Sequence, residues 1–139
     1  FGGETLEEIK KINPHEVANL IIVERWRGII NPKKSGDMGI DGWVEFRTIP
    51  VQVKRWKHKV GRPEIDKFKT AIERDHKTKG IIVAEDFSKD CYAEVSRIKH
   101  EHKIDIRLFK FESIFESHNH SNHHHHERDD INHPAFMIL

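Results

Sequence analysis

One cysteine, Cys91, stands in 139 residues, so neither an internal disulfide nor a cysteine-based zinc site can form within the chain. Long apolar runs are missing as well. The longest, such as Leu20-Ile21-Ile22-Val23, have strand or buried-helix length, and a mean hydropathy of -0.70 leaves no room for a helical membrane span. There is no glycine-rich phosphate loop and no Ser-His-Asp pattern, which argues against nucleotide-binding enzymes and hydrolases of those types. No helix-turn-helix or zinc finger is recognisable. The opening Phe1-Gly2-Gly3-Glu4 leads into an acidic, polar stretch rather than a basic end followed by an apolar one. The expectation is therefore a cytoplasmic protein without a leader, and the lack of an initiating Met points to a piece of a longer chain.

What the chain does have is an uneven distribution of charge. The formal net charge is only +1, yet Arg47 to Lys79 carries eleven Lys and Arg against four Asp and Glu. Trp56 and Phe68 are interleaved with these cations and Trp43 lies just before them. A basic middle with aromatics suits a polyanion such as DNA, although a solvated basic face would look similar. From His118 the sequence turns to His-Asn-His-Ser-Asn-His-His-His-His, followed by Glu127-Arg128-Asp129-Asp130. No packed core could use that composition. Residues 1–117 are expected to form one domain and 118–139 a His-rich polar tail, either a solvated extension or a loose chelator of Zn, Ni or Cu.

Within the domain, Asn13-Pro14-His15-Glu16 reads as a helix start, with Asn as cap, Pro at the first helical position and Glu closing a capping box. The helix should run to about Trp26 and stop at Gly28. Ile40–Arg47 and Pro50–Trp56 read as a hairpin joined through Thr48-Ile49, with Gln52, Lys54 and Trp56 on one face of the second strand and Val51, Val53 and Arg55 on the other. A helix from Arg62-Pro63-Glu64, a buried and parallel strand at Ile81–Ala84, a helix capped by Ser88 with Cys91, Tyr92, Val95 and Ile98 apolar, and a strand at Ile104–Leu108 complete the αβββαβ order and its extension. The fold class expected is α/β, a central mixed β-sheet flanked by helices.

The densest chemical signal is Ser35-Gly36-Asp37-Met38-Gly39-Ile40-Asp41-Gly42, with Gln52-Val53-Lys54 beginning eleven residues after Asp41. That spacing sets a carboxylate on one strand and an amide and a lysine on one face of the next. Asp and Gln oxygens are hard ligands suited to Mg²⁺, which takes few protein ligands and keeps several waters. A lysine beside them could orient an attacking water and offset charge on a phosphoryl transition state. Asp37 reads as a turn residue bonding its own backbone, with an accessory acid as the alternative.

These strings, with Gly61-Arg62-Pro63-Glu64-Ile65-Asp66-Lys67-Phe68 and Lys79-Gly80-Ile81-Ile82-Val83, resemble the Mrr-like branch of the PD-(D/E)xK nucleases over about residues 13 to 112. The likeness extends to the nuclease-like domains at the C-terminus of some site-specific DNA methyltransferases. The resemblance implies a restriction-endonuclease-like core and a metal-dependent endodeoxyribonuclease of a restriction-modification setting. Asp41 and Gln52 would hold Mg²⁺, with Mn²⁺ as a substitute, Gln52 replacing the second acid, and Lys54 would be the catalytic lysine. The family's helix acid or Gln aligns with Ala18; Glu16 is the nearest acid, and it serves either the catalytic centre or only its capping box. Lys34, Arg55, Trp56, Lys57, Lys59 and Arg62, with His58, are the expected DNA contacts. DNA, a methyltransferase or other domain in the same longer chain, and a second copy in a homodimer are the expected partners, and no membrane is. Two other readings stand beside this one: a non-catalytic DNA-binding module of the same fold, and a protein-interaction domain without DNA affinity.

Overall fold

The computed structural model describes residues 5–33 and 39–115. Lys34, Gly36, Asp37 and the tail expected from His118 lie outside the described residues. Thr5 caps a short helix α1 (Leu6–Ile9) through a reciprocal box with Glu8. Helix α2 (Pro14–Asn19) begins where its cap predicts, with Asn13 Oδ1 accepting from Glu16 N–H at 3.0 Å. It does not continue as an α-helix. Leu20–Arg25 is a π-helical segment, and Trp26 N–H reaches back five residues to Ile21 O. The wider turn lets the adjacent Ile21 and Ile22 and the ring of Trp26 all enter one core. Gly28 ends this stretch for a packing reason: a Cβ there would meet Trp43 O at 2.2 Å.

The strands are β1 (Ile29–Ile30), β2 (Gly42–Val44), β3 (Ile49–Val53), β4 (Lys59–Val60), β5 (Lys79–Ala84), β6 (Asp86–Phe87) and β7 (Asp105–Lys110). Five of them form a mixed sheet in the order β1-β2-β3-β5-β7, antiparallel from β1 to β3 and parallel from β3 to β7. Helices α3 (Arg62–Arg74) and α4 (Lys89–His102) connect the parallel strands, and α5 (Phe111–Ile114) follows β7. β4 and β6 pair separately, side by side and parallel. The α/β class with a central mixed sheet is thus the observed one, and β1 supplies the first strand of the αβββαβ order.

Alternation along the central strands builds two cores, one on each face of the sheet. Val51, Ile81 and Val83 pack with α2, the π-helical segment, Trp26 and Phe111. Ile82 and Ala84 pack with Ile65, Phe68, Ala71 and Ile72 of α3 and with Cys91 and Ile98 of α4. Gln52 pairs with Ile82 in the β3–β5 register and so looks toward α3.

Three sequence expectations are corrected. The hairpin turn lies earlier than Thr48-Ile49: Glu45, Phe46 and Arg47 adopt left-handed φ of 57°, 57° and 67°, and Thr48 N–H closes on Val44 O. Trp56 leaves the face of Gln52 and Lys54, because β3 ends at Val53, and its ring packs on Phe111 at 5.7 Å. On α4, Tyr92 is half exposed, while Glu94 is buried.

That buried carboxylate joins α4 to α3. Arg97 donates to both Glu94 oxygens, at 2.9 and 2.5 Å, and Arg62 Nε lies 3.3 Å from Oε1. The hydrogen bonds from Arg97, then the one shared with Asp66, hold the Glu94 carboxyl well below its usual 4.5. Burial first, then Glu94, pushes Asp66 the other way. A depressed carboxyl stabilises the fold fully above its unfolded value and loses that contribution as pH falls through the folded one; Asp66 opposes it only in part. Glu94→Gln should therefore lower stability at pH 7 by about 2 kcal/mol, with the difference from the native chain shrinking as pH drops below about 4.5. Thermal melts at pH 7 and pH 3 check this; an equal gap at both would mean the charge of Glu94 contributes nothing.

Candidate active site

The sheet changes character where β2 meets β3. The pair Gly42–Val51 is in register, but Asp41 N–H bonds Val51 O at 2.8 Å, one residue out of step. Such a slip is a bulge, a device that re-aims a side chain at the end of a ladder. Here it turns the Asp41 carboxylate onto the backbone of the next strand, where Oδ2 accepts from Val53 N–H at 2.7 Å. The ladder carbonyl that Val53 would otherwise use, Ile40 O, accepts instead from Asn31 Nδ2 at 2.9 Å, while Asn31 N–H bonds Asp41 O. Val53 sits between Gln52 and Lys54, so Asp41 is fastened to the residue that separates them.

Lys54 is placed by two further constraints. Its N–H continues the parallel pairing to Val83 O at 2.8 Å. Its ammonium lies 3.0 Å from Glu64 Oε2, with about a fifth of each side chain exposed. Glu64 is the third residue of α3, where it caps Gly61 N–H through Oε1 at 2.9 Å and meets His58 Nε2 through Oε2 at 2.6 Å. Burial pushes its carboxyl up, but the Gly61 N–H and the Lys54 and His58 side chains outweigh that and leave it below the usual range. An anionic Glu64 is thus maintained to acid pH, and with it the anchor of Lys54.

Between β3 and α3 lies a cleft of about 490 Å³, walled by Gln52 and Lys54 on the strand side and by Lys67, Thr70 and Arg74 on the helix side. A smaller cavity of about 190 Å³ is lined by Asp41, Lys33, Asn31 and the helical residues His15, Ala18 and Asn19. Gly39 belongs to the cleft. Its φ is +87°, and a Cβ there would stand 2.2 Å from Gln52 Nε2. Only glycine allows the amide this approach.

Asp41, Gln52 and Lys54 meet at the end of β3 through Val53 N–H, with Asp41 lining the smaller cavity and Gln52 and Lys54 the cleft, and other expected site residues lie elsewhere. Glu16 is exposed and lines a groove with Glu8, Ile12 and Glu24 rather than the Asp41 cavity. Lys59 faces Asp86 at 4.0 Å, and Arg62 is held by Glu94 and Asp66. Trp56 lies under the ammonium of Lys10, 5.2 Å from its ring centre. Arg55 and Lys57 are exposed, the latter with a left-handed φ of 70°. The anchoring role of Glu64 is not visible in the sequence, where the residue only marks a helix start after Arg62-Pro63. Lys67, Thr70 and Arg74 were also missed, although their spacing of three and four residues marks one helix face.

As donors, Asp41 and Gln52 offer one carboxylate and one amide, and the described residues contain no group of three or more His, Cys, Asp or Glu able to hold a metal. A closed structural site is not built. Each is a hard oxygen donor of the kind that suits an ion keeping most of its water.

A mixed central sheet of five strands flanked by helices is a restriction-endonuclease-like α/β fold. The model of the Mrr catalytic-domain family, described as restriction endonuclease, matches residues 10–117, and the chain belongs to that family. No curated protein and no solved structure matches it.

Gly39→Ala should cost about 1–3 kcal/mol from its backbone alone and abolish most nuclease activity by displacing Gln52. Gly61→Ala is the control, since its nearest foreign atom is Pro63 Cδ at 3.6 Å. If the two variants melt and cut alike, the Gly39 contact has no special role.

Proposed function

We propose that this domain is an endonuclease that hydrolyses DNA phosphodiester bonds with Mg²⁺, or Mn²⁺ in its place, in a restriction-modification setting. The observation that carries the reading is the convergence of Asp41, Gln52 and Lys54 about Val53, with the lysine held over an open cleft by Glu64. Asp41 and Gln52 would hold the ion, which when bound lowers the pKa of its water and polarises the phosphoryl oxygen. The residues of the chain do the rest. Lys54 places a fixed positive charge and three donors where negative charge grows on the phosphate and where the attacking water must be oriented. Glu64 keeps that ammonium from swinging into solvent, and its second oxygen, tied to Gly61 N–H, keeps the carboxylate from following. Choice of DNA sequence would come from a neighbouring domain such as a methyltransferase in a longer chain, and cutting of both strands from a homodimer. Cytoplasmic action fits this setting, and no helix of the described residues is long and apolar enough to cross a membrane.

One observation favours the second reading, a non-catalytic DNA-binding module. Ala18, buried to 6% exposure, lines the Asp41 cavity where the family's helix acid would stand, and Glu16 is not there.

Plasmid DNA, methylated and unmethylated, incubated in Mg²⁺, Mn²⁺ or EDTA decides between them. The expected result is cleavage that needs the metal and falls by roughly 10²-fold or more in Lys54→Ala. A chain that binds both plasmids and cuts neither in any metal is the binding module. Glu64→Gln should retain folding and DNA binding while lowering the rate by about tenfold, the scale of one charge-assisted hydrogen bond. A rate unchanged in Glu64→Gln would show that Lys54 needs no anchor.

A further inference from the structure

Two of the cations expected to touch DNA are committed elsewhere, while Arg55 and Lys57 are exposed outside the cleft. Arg62 joins Glu94 and Asp66, and Lys59 faces Asp86. The cleft, by contrast, brings Lys67 and Arg74 of α3 opposite Lys54, with Thr70 between them. Among the described residues its one acidic lining residue, Glu64, is already bound by Lys54, His58 and Gly61. Lys69, off the cleft, pairs with Glu73, whereas Lys67 has no ion-pair partner among the described residues. Lys67, Thr70 and Arg74 are all exposed, and Phe68 and Ala71 anchor this stretch of helix in the core. The cationic row is therefore rigidly mounted but open to solvent.

Seven residues of helix separate Lys67 from Arg74, about 10 Å along the axis. One strand of B-DNA carries a phosphate per roughly 3.4 Å of its axis, so the row matches about three nucleotides. We propose that the Lys67–Thr70–Arg74 face of α3 is the phosphate-binding wall of the cleft, holding the backbone of a DNA strand across from Lys54. The proposal rests on DNA being the substrate. The two lysines divide the labour: Lys54 is fixed by a carboxylate for one position, and Lys67, on a long unpaired stem, follows the backbone. Thr70 has its hydroxyl turned to Asp66 O at 3.2 Å, which leaves the neighbouring positions to the two cations.

The test is binding of a labelled duplex by fluorescence anisotropy in EDTA, across a series of salt concentrations, for the native chain, Lys67→Ala/Arg74→Ala and Lys89→Ala/Lys99→Ala. The last pair removes equal charge from α4, which does not line the cleft. Each phosphate contact contributes about 0.9 to the slope of log K against log salt. The cleft variant should lose nearly two units of slope and bind about tenfold or more weakly at 0.1 M salt, with the α4 variant close to native. Melting curves establish that both variants fold. An unchanged slope, equal losses in both variants, or no binding by the native chain overturns the wall. The expected slopes with no cleavage in any metal would keep the wall and reject the nuclease reading, whereas cleavage with an unchanged slope would reject the wall alone.

Discussion

The hydrogen bond from Val53 N–H to the Asp41 carboxylate, 2.7 Å long, sits where the antiparallel half of the sheet stops and the parallel half carries on. An antiparallel ladder left to continue would bond Val53 to Ile40 O and leave Asp41 wherever pleating put it. The slip in register exchanges that backbone bond for a side-chain one, and Asn31 satisfies the displaced carbonyl. Val53 N–H and Ile40 O both keep a partner through the exchange, which is what makes a bulge sustainable in a half-buried place. Through it Asp41 is fastened to the backbone between Gln52 and Lys54, while Gly39 stands against the Gln52 amide.

The second constraint is the junction between sheet and α3. Glu64 serves the helix and the site at once: one oxygen caps Gly61, the other holds Lys54 and His58. A partly exposed ion pair in water contributes little to stability. Its value here is positional, since Lys54 would otherwise sample several rotamers over an open cleft. On its far side the same helix is tied to α4 by Arg62, Asp66, Glu94 and Arg97. α3 is thus pinned on both sides, and the face it presents to the cleft is a fixed one.

Membership of the restriction-endonuclease family agrees with the mixed sheet flanked by helices. Among the described residues, the helix side of the Asp41 cavity carries no acid. Ala18 lines that cavity with His15, Asn19, Asn31 and Lys33 around Asp41. With one carboxylate rather than two or three, the site has low negative charge, and an ion bound there would rely on water and on the phosphate itself for most of its shell.

Much was legible in the linear order of residues. The cap at Asn13, the apolar run Ile81–Ala84, the alternation at Ile104–Leu108 and the spacing from Asp41 to Lys54 report local periodicity and turn chemistry, which depend on neighbours in the chain. The α/β class and the face shared by Gln52 and Lys54 followed from these. The π-helical winding before Trp26, the side on which Trp56 packs, the burial of Glu94 and the partner of Lys54 did not. Nor did the choice of cations facing the cleft: Arg62 and Lys67 lie five residues apart on one helix, and only the position of α4 and β3 around it makes one a structural partner of Glu94 and leaves the other at the site. Ion pairs are set by distances between elements far apart in sequence, so composition could indicate a basic region but not its working surface.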